Sequence, residues 1–489
     1  MMRGFFVAAA AHARIAADAP WGVSLTVNPE PVMSLSAPAL THPLDVTITA
    51  LTDKGDGIGE LDGRTLYVSG ALPGERVQVR LHGIKPKYAQ GELLAVLQPS
   101  PDRVANFCPH TECGGCQIGI LDYAAQLRLK RQLVVDHLTA KGVLAGETAV
   151  EVAECLGMSE PFAYRNKALY AVRPSPEGAE LGFFRKQSHQ LVVCDDCGIQ
   201  PELIAELVAE VRAWLREFAI AAYDEENHSG VVRYLMLRDG RISGDWMLVL
   251  VTLGDELPHH EALLARLARF PQLTSVVQNI NPERGNRILG FDNRTLSGAA
   301  VIRDQLDGLD FALSPLSFYQ INPEQTQVLY REALRLAELS GQETVFDIYC
   351  GIGTISLFLA RQAATVVGVE LVSEAIDDAR ANAERNGLTN TEFHVGKAEV
   401  VVPELYAQGY RADVVVVDPP RKGCERVVLD TILQMAPRTL VYVSCDPGSL
   451  ARDLAYLLAR GYHLDAVQPV DMFPHTLHVE TVVRLRLCR

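Results

Sequence analysis

The stretch Asp347-Ile348-Tyr349-Cys350-Gly351-Ile352-Gly353-Thr354 decides the fold. The run 344–349 enters it as a strand, and 355–361 leaves it as a helix. Between them, Gly351-x-Gly353 lets the backbone approach a ligand where a side chain would block it. The next strand, over 365–370, ends Gly368-Val369-Glu370. A carboxylate about 20 residues beyond such a turn can accept both hydroxyls of a ribose. Strand and helix keep alternating through 373–386, 413–418 and 440–444, with Ser373 expected as an N-cap and Gly387 as a C-terminal stop. This pattern implies a parallel sheet covered on both faces, a doubly wound, Rossmann-like α/β domain over 311–489.

The strand over 413–418 closes in Asp418-Pro419-Pro420. The turn lacks the full dinucleotide spacing, so together with Glu370 and Asp-Pro-Pro it favours S-adenosylmethionine over NAD. Further on come Val443-Ser444-Cys445-Asp446-Pro447, then Met472-Phe473-Pro474-His475-Thr476 and Glu480. A thiol, a carboxylate and an adenosine-binding turn are the parts needed to methylate an unactivated pyrimidine carbon. Uracil C5 is a poor nucleophile. A thiolate adding to C6 makes the ring an enolate, C5 then attacks a sulfonium methyl, and a base must remove the C5 proton before the thiol leaves. A free thiol with a pKa of about 8.5 is only a few per cent ionised at neutral pH, so the site should lower that value or ionise the thiol on binding. Asp446 works the other way. Cys350, inside the turn, reads as packed, and Cys424 is a rival nucleophile.

Upstream the patterns change. The chain has 489 residues and no stretch of 18 or more apolar residues that would span a bilayer. Residues 1–40 are rich in Ala and Pro and show no sustained period, so they read as a disordered extension, while the short apolar opening resembles only a weak secretory signal that His12 and Arg14 interrupt. Over 41–98, short alternating strands with turns such as Gly55-Asp56-Gly57 and Pro73-Gly74 indicate a small β-barrel. Arg76, Arg80, Lys85, Lys87 and Tyr88 would give it a basic, partly aromatic face. Residues 99–310 read as a mixed α+β domain, opening with a helix over 122–140 that carries Arg128, Lys130 and Arg131. The formal charge of −15 opposes a polyanionic partner unless positive charge is gathered locally.

Ten cysteines are too few and too scattered for a disulfide scaffold, so a reducing, cytoplasmic setting is expected. Three of them form Cys108-x4-Cys113-Gly114-Gly115-Cys116, with glycines that permit tight wrapping. Three local thiolates and a distant fourth suit a 4Fe–4S cluster, and zinc in a four-cysteine site is the competing metal. Cys194 and Cys197 are the candidates for the fourth ligand.

At these positions the chain resembles the RNA uracil-5-methyltransferases that carry an iron–sulfur cluster. The matching segments are Phe318-Tyr319-Gln320-Ile321-Asn322, 347–354, Glu370, Asp418-Pro419-Pro420-Arg421, Ser444-Cys445-Asp446-Pro447 and 472–480. The resemblance covers essentially 42–489 and departs at Asp446, where many relatives have Asn. It implies Cys445 as nucleophile and Glu480 as the base, with Gln320, Tyr349, Glu370 and Asp418 binding S-adenosyl-L-methionine. Asp418 would also face the target base. The resemblance favours a 4Fe–4S cluster on Cys108, Cys113, Cys116 and Cys197, the last placed by counting from Ser188-His189. The barrel over 41–98 resembles a TRAM domain, which implies an OB-like, RNA-binding β-barrel.

The resulting expectation is RNA uracil-5-methylation, on 23S ribosomal RNA rather than transfer RNA, because the barrel and cluster resemble the large-subunit branch. The chemistry needs no redox step, so the cluster would be structural or an aid to RNA binding. The target uridine must be in a loop or flipped out, with Phe318 and Tyr319 as stackers and Arg165, Lys167, Arg185 and Lys186 as phosphate contacts. The sequence requires neither a membrane nor a protein partner, and a monomer is expected. The rivals are a cytosine-5-methyltransferase, though Ser444-Cys445 is not the Pro-Cys or Thr-Cys context usual there, and an inactive RNA-binding assembly factor.

Overall fold

The computed structural model describes residues 42–145, 150–186 and 188–488, and the extension expected over 1–40 lies outside them. The first strands are β1 (Leu44–Thr47), β2 (Ala50–Leu51), β3 (Asp56–Leu61), β4 (Arg64–Ser69), β5 (Arg76–Ile84) and β6 (Tyr88–Gln98). They pair in the order β1-β5-β6-β4-β3-β2 as a barrel-like sheet. Alternate side chains, among them Val46, Leu66, Val68, Val77 and Val79, point inward and fill it. Gly59 is required by close approach: a Cβ there would lie 2.7 Å from Val46 Cγ1. On the expected basic face, Arg76 pairs with Asp45 and Arg80 with Glu92, while Lys85, Lys87 and Tyr88 are exposed.

Helix α1 (Tyr123–Ala140) starts where Asp122 caps the amides of Ala124 and Ala125. Gln126, Lys130, Val134 and Leu138 recur every four residues, so they share one face, and that face is buried. Lys130 is therefore not part of a basic surface. It lies fully buried in an ion pair with Asp471.

The middle of the chain supplies β7 (Lys167–Ser175), β8 (Gly178–Phe184), β9 (Leu191–Val193), α2 (Leu203–Glu217), β10 (Val232–Asp239), β11 (Trp246–Thr252), α3 (His260–Leu267), β12 (Leu273–Ile280) and β13 (Asp292–Gly298). These strands form one sheet ordered β13-β12-β11-β10-β7-β8-β9. Leu207, Val211 and Trp214 of α2 bury against Leu235 and Leu248 on one face of it. A hairpin follows, β14 (Ile302–Leu306) with β15 (Leu309–Leu313). The change of domain expected at residue 310 falls inside this hairpin.

The remainder alternates: α4 (Pro323–Ala337), β16 (Thr344–Ile348), α5 (Thr354–Ala360), β17 (Thr365–Glu370), α6 (Ser373–Arg385), β18 (Thr391–Val395), α7 (Ala398–Ala407), β19 (Val414–Val417), α8 (Arg426–Met435), β20 (Thr439–Ser444), α9 (Pro447–Leu458), β21 (Tyr462–Val470) and β22 (Glu480–Leu487). The sheet order is β18-β17-β16-β19-β20-β22-β21, with β22 antiparallel to both of its neighbours. Val414–Val417 is four buried valines, as a strand covered on both faces requires. Helices α4, α5 and α6 pack on one face and α1, α7, α8 and α9 on the other. Helix α1 thus joins the C-terminal core, and bridges from Val152 to Val467 and from Leu156 to Val470 bind its trailing segment to the sheet edge. Gly387 follows α6 at φ +66°, the stop the sequence indicates. Ser373 is not the N-cap. The helix opens at Val372, and the Ser373 hydroxyl donates instead to Glu374.

Candidate active site

Strand register brings the expected residues to one edge of the C-terminal sheet. Ile348 pairs with Val417 and Val417 with Tyr442, so Tyr349, Asp418 and Cys445 follow the carboxyl ends of adjacent parallel strands. Glu370 ends β17, the neighbour on the other side of β16. Ser444 pairs with Thr481 on antiparallel β22. That pair closes the ladder, Cys445 and Glu480 are the next residue on each strand, and Glu480 is near enough to act on the Cys445 thiol. The site reads across the sheet as Glu370, glycine turn, Asp418, Cys445, Glu480. It straddles the point where the connections leaving β16 and β19 run in opposite directions, the usual crevice for a ligand in such a sheet.

The cofactor end is built from backbone. Gly351 and Gly353 have φ of +55° and +81°, and Tyr349 holds φ +73° beside them. A non-glycine residue in that region is strained, and such strain gathers at ligand sites. Nothing lies within 4 Å of a Cβ built on Gly351, so space is open above the turn. Glu370 accepts from the Gly351 amide at 3.2 Å through one oxygen and from the Val372 amide at 3.0 Å through the other. Each oxygen keeps a second acceptor site for a hydroxyl. Asp347 is a further candidate the sequence reading passed over. It is fully buried, one oxygen takes the Ser356 hydroxyl at 2.5 Å, and the other has no protein partner among the described residues. Burial raises this carboxyl to about 7. An orphaned buried acceptor beneath the turn fits the ammonium and ribose donors of S-adenosylmethionine.

At the other end, burial raises the Cys445 thiol to about 12, with Glu480 and Asp418 adding to the rise and Arg421 opposing it. Burial, then Asp418, raises Glu480 to about 8, again against Arg421. Burial, then Asp347, raises Asp418 to about 7. Of the two routes expected for the thiol, a lowered resting pKa does not hold, and ionisation on binding remains. Carboxylates and a dry wall hold its proton on, which leaves ionisation to the moment of binding. Asp446 is not part of this field. Its carboxylate turns away to cap α9, accepting the Ser449 amide at 2.7 Å. Cys350 and Cys424 are buried, whereas Cys445 is only half-buried. Exposed Arg421, which no sequence argument gave a role, is the cation that eases both the thiol and Glu480 toward their charged forms.

Gln320 precedes α4, where Asn322 caps the amide of Gln325 at 3.2 Å. Its main-chain oxygen accepts from Asn166, and its side-chain amide has no protein partner among the described residues. Phe318 is 67% exposed and free to stack, but Tyr319 is 3% exposed with its hydroxyl donating to Asp304. Tyr319 is therefore a core residue, not a stacker.

Cys108, Cys113, Cys116, Cys194 and Cys197 line one cavity of about 320 Å³ near the end of β8. The loop is pinned there by the Gly114 amide donating to Phe184 O at 3.4 Å, and a Cβ on Gly114 would press on Lys186 Cα at 3.1 Å. Among the described residues no three side chains stand close enough to hold a single metal ion. Burial raises the thiols of Cys108 and Cys113, and that of Cys116 to about 12, so protons must leave for any metal to bind. Cys194 is buried and donates to Asp196 O at 3.5 Å, while Cys197 is half-buried like the three loop cysteines. Arg165 and Lys167 line the same cavity. Arg185 pairs with Glu112, and Lys186 with Asp56 at 3.0 Å, so these two are already engaged within the protein.

The model of the tRNA (uracil-5-)-methyltransferase family matches residues 128–487, and that of the TRAM domain matches 43–94. An uncharacterised RNA methyltransferase of Halalkalibacterium halodurans is 49% identical over 91% of this chain and 97% of its own. One from Clostridium tetani is 44% identical over 89% and 94%. Among solved structures, the tRNA (uracil-54, C5)-methyltransferase of Pyrococcus abyssi, in complex with S-adenosyl-L-homocysteine, superposes with a TM-score of 0.73 at 28% identity, over 90% of this chain and all of that one. An alignment of that extent takes in the barrel as well as the C-terminal sheet. Among the described residues no helix is long and apolar enough to cross a membrane.

Proposed function

Given that the chain belongs to the RNA uracil-5-methyltransferase family, we propose that it transfers a methyl group from S-adenosyl-L-methionine to C5 of a uridine through a transient bond between Cys445 and C6. The observation that supports this reading is the register that ends with Ser444 opposite Thr481, with Cys445 and Glu480 the next residue on each strand, and with Glu480 among the charges that raise the Cys445 thiol. The bound donor supplies an electrophilic methyl. Gln320, Tyr349, Glu370 and Asp418 would hold it, joined by Asp347 under the glycine turn. The Cys445 sulfur, once deprotonated, bonds to C6 and electrons move to the ring oxygen. C5 then takes the methyl. Glu480 as carboxylate removes the C5 proton, and the electrons of that bond expel the sulfur from C6. Exposed Phe318 supports stacking on the flipped-out base or its neighbour.

A 4Fe–4S cluster on Cys108, Cys113, Cys116 and Cys197 fits the cavity. Four irons bind four separate thiolates, so their sulfurs stand farther apart than the ligands of one ion. The cluster would brace the loop and carry no step of the reaction. The thiol chemistry supports a reducing, cytoplasmic setting, and the chain would act as a monomer.

The preferred substrate is 23S ribosomal RNA, a reading that rests on the thiol cavity. Transfer RNA is the second reading, favoured by the likeness to the Pyrococcus abyssi enzyme across the whole architecture. The barrel therefore does not separate the two. Mapping 5-methyluridine in 23S and transfer RNA, with and without the protein, tests both. The expected result is a uridine in 23S RNA that loses its methyl without the protein and stays unmethylated when Cys445→Ala replaces it. Loss confined to transfer RNA would move the assignment there, and loss of 5-methylcytidine would overturn it.

A further inference from the structure

We propose that His475 is a positioning residue that ties the thiol-bearing loop to Glu480, so that order in that loop sets the place of the carboxylate. This rests on the reading of Glu480 as the base. His475 lies five residues before it, in the connection between β21 and β22, and holds φ +67°. A side-chain-bearing residue keeps that backbone only if its surroundings impose it.

They do so through every polar group His475 has. Its amide donates to Gln126 Oε1 at 2.8 Å, and its carbonyl accepts the Ile118 amide at 3.0 Å. Ring Nε2 lies 3.0 Å from Pro161 O and therefore carries the hydrogen. Ring Nδ1 then accepts from Gln126 Nε2 at 3.2 Å, while the same nitrogen donates to Leu121 O at 2.8 Å. The ring stacks on Phe162 at 5.0 Å and sits 4.5 Å from Phe107.

Phe107 immediately precedes Cys108, and Gln117 and Ile118 immediately follow Cys116. Both ends of the thiol loop therefore grip the same short segment. Gln117 adds a second tie, donating to Gly114 O at 2.8 Å and accepting the Leu477 amide at 3.4 Å. On the far side, Lys130 Nζ pairs with Asp471 and donates to Phe473 O at 2.9 Å, and Tyr123 donates to Asp471 at 2.9 Å. The connection is fixed at 471–473 and again at 475–477. Little slack remains before Glu480 enters β22 opposite Val470. A carboxylate that must meet one C–H bond gains from such fixing, because small misplacements cost rate more than binding.

Wild type, Glu480→Gln, His475→Ala and Gln126→Leu are compared with one RNA substrate and the methyl donor. The readouts are kcat, KM for RNA, the fraction of chain held as RNA adduct on denaturing gels, and amide hydrogen exchange over 474–480. His475→Ala is expected to lower kcat by about tenfold or more with KM for RNA within about twofold, to accumulate adduct as Glu480→Gln does, and to speed exchange over 474–480. Gln126→Leu should do the same to a smaller extent. Cys113→Ser should speed exchange over the same residues. Unchanged exchange in the His475 or Cys113 variants overturns the proposal, as does a loss of rate in His475→Ala without adduct. If His475→Ala does not fold, Gln126→Leu decides by the same criteria. An absence of adduct in Glu480→Gln alone would strike the reading of Glu480 as base, and the exchange data would still judge the link from loop to segment.

Discussion

Cys445 can attack only after losing its proton, yet its surroundings hold that proton on. The field that raises the thiol also raises Glu480 to about 8, so resting enzyme at neutral pH keeps both groups mostly protonated. The proposed reaction needs both charged, and kcat/KM should therefore climb as pH rises through about 8. A flat profile from pH 6 to 9 would contradict the assignment of Glu480. Stability should move the opposite way. Glu480 binds its proton up to about 8 when folded but only to 4.5 when unfolded. The folded state thus holds more protons between those values, and stability from this group falls as pH rises across that window. Glu480→Gln removes the effect, so its melting temperature should gain on wild type between pH 5 and pH 8, as calorimetry can check. Cys445 and Glu480 could be singled out from the sequence because uridine methylation demands such groups. Their charge states were not, because these depend on Asp418, Arg421 and burial, which only the assembled sheet brings together. Tyr319 was misread for the same reason: beside Phe318 it looks equally exposed, and tertiary packing takes it into the core.

Among the elements, α9 and α1 carry the sharpest tests. Asp446 caps α9 and leaves the thiol's field to others. Asn caps as well as Asp, so Asp446→Asn should keep both stability and turnover, whereas Asp446→Ala should cost about 1 kcal/mol in denaturant unfolding. A large activity loss in Asp446→Asn would show that the charge matters after all. In α1, Lys130→Met leaves Asp471 buried and unpaired, at about 3–5 kcal/mol. A loss below about 1 kcal/mol would mean that the pair is not formed as described. Alternation of strands and helices exposed the sheet from sequence, since apolar runs such as Val414–Val417 leave few other options. The place of α1 was not legible. Its four-residue stripe mixes Gln126 and Lys130 with apolar residues, and the partners that make it a core stripe are more than 300 residues away.

For the whole molecule, a net charge of −15 must be reconciled with a polyanionic substrate. Ion pairs engage Arg76 and Arg80 on the barrel and Arg185 and Lys186 outside it, and among the described residues Lys54, Arg64, Lys85 and Lys87 are the barrel cations without an ion pair, Lys85 and Lys87 lying beside the exposed Tyr88. If these two meet phosphates, Lys85→Ala and Lys87→Ala should each flatten the dependence of log affinity on log salt by about 0.7–0.9. An unchanged slope in filter binding would remove these two lysines from the phosphate contacts. Above all, the account depends on one sulfur carrying the uridine. RNA with 5-fluorouridine at the target offers no C5 proton to remove, so the methylated base should remain attached to the enzyme. Mass mapping of the digested complex should place that adduct on the peptide carrying Cys445. Attachment at Cys350 or Cys424, or methylated fluorouridine released with no adduct formed, would contradict it.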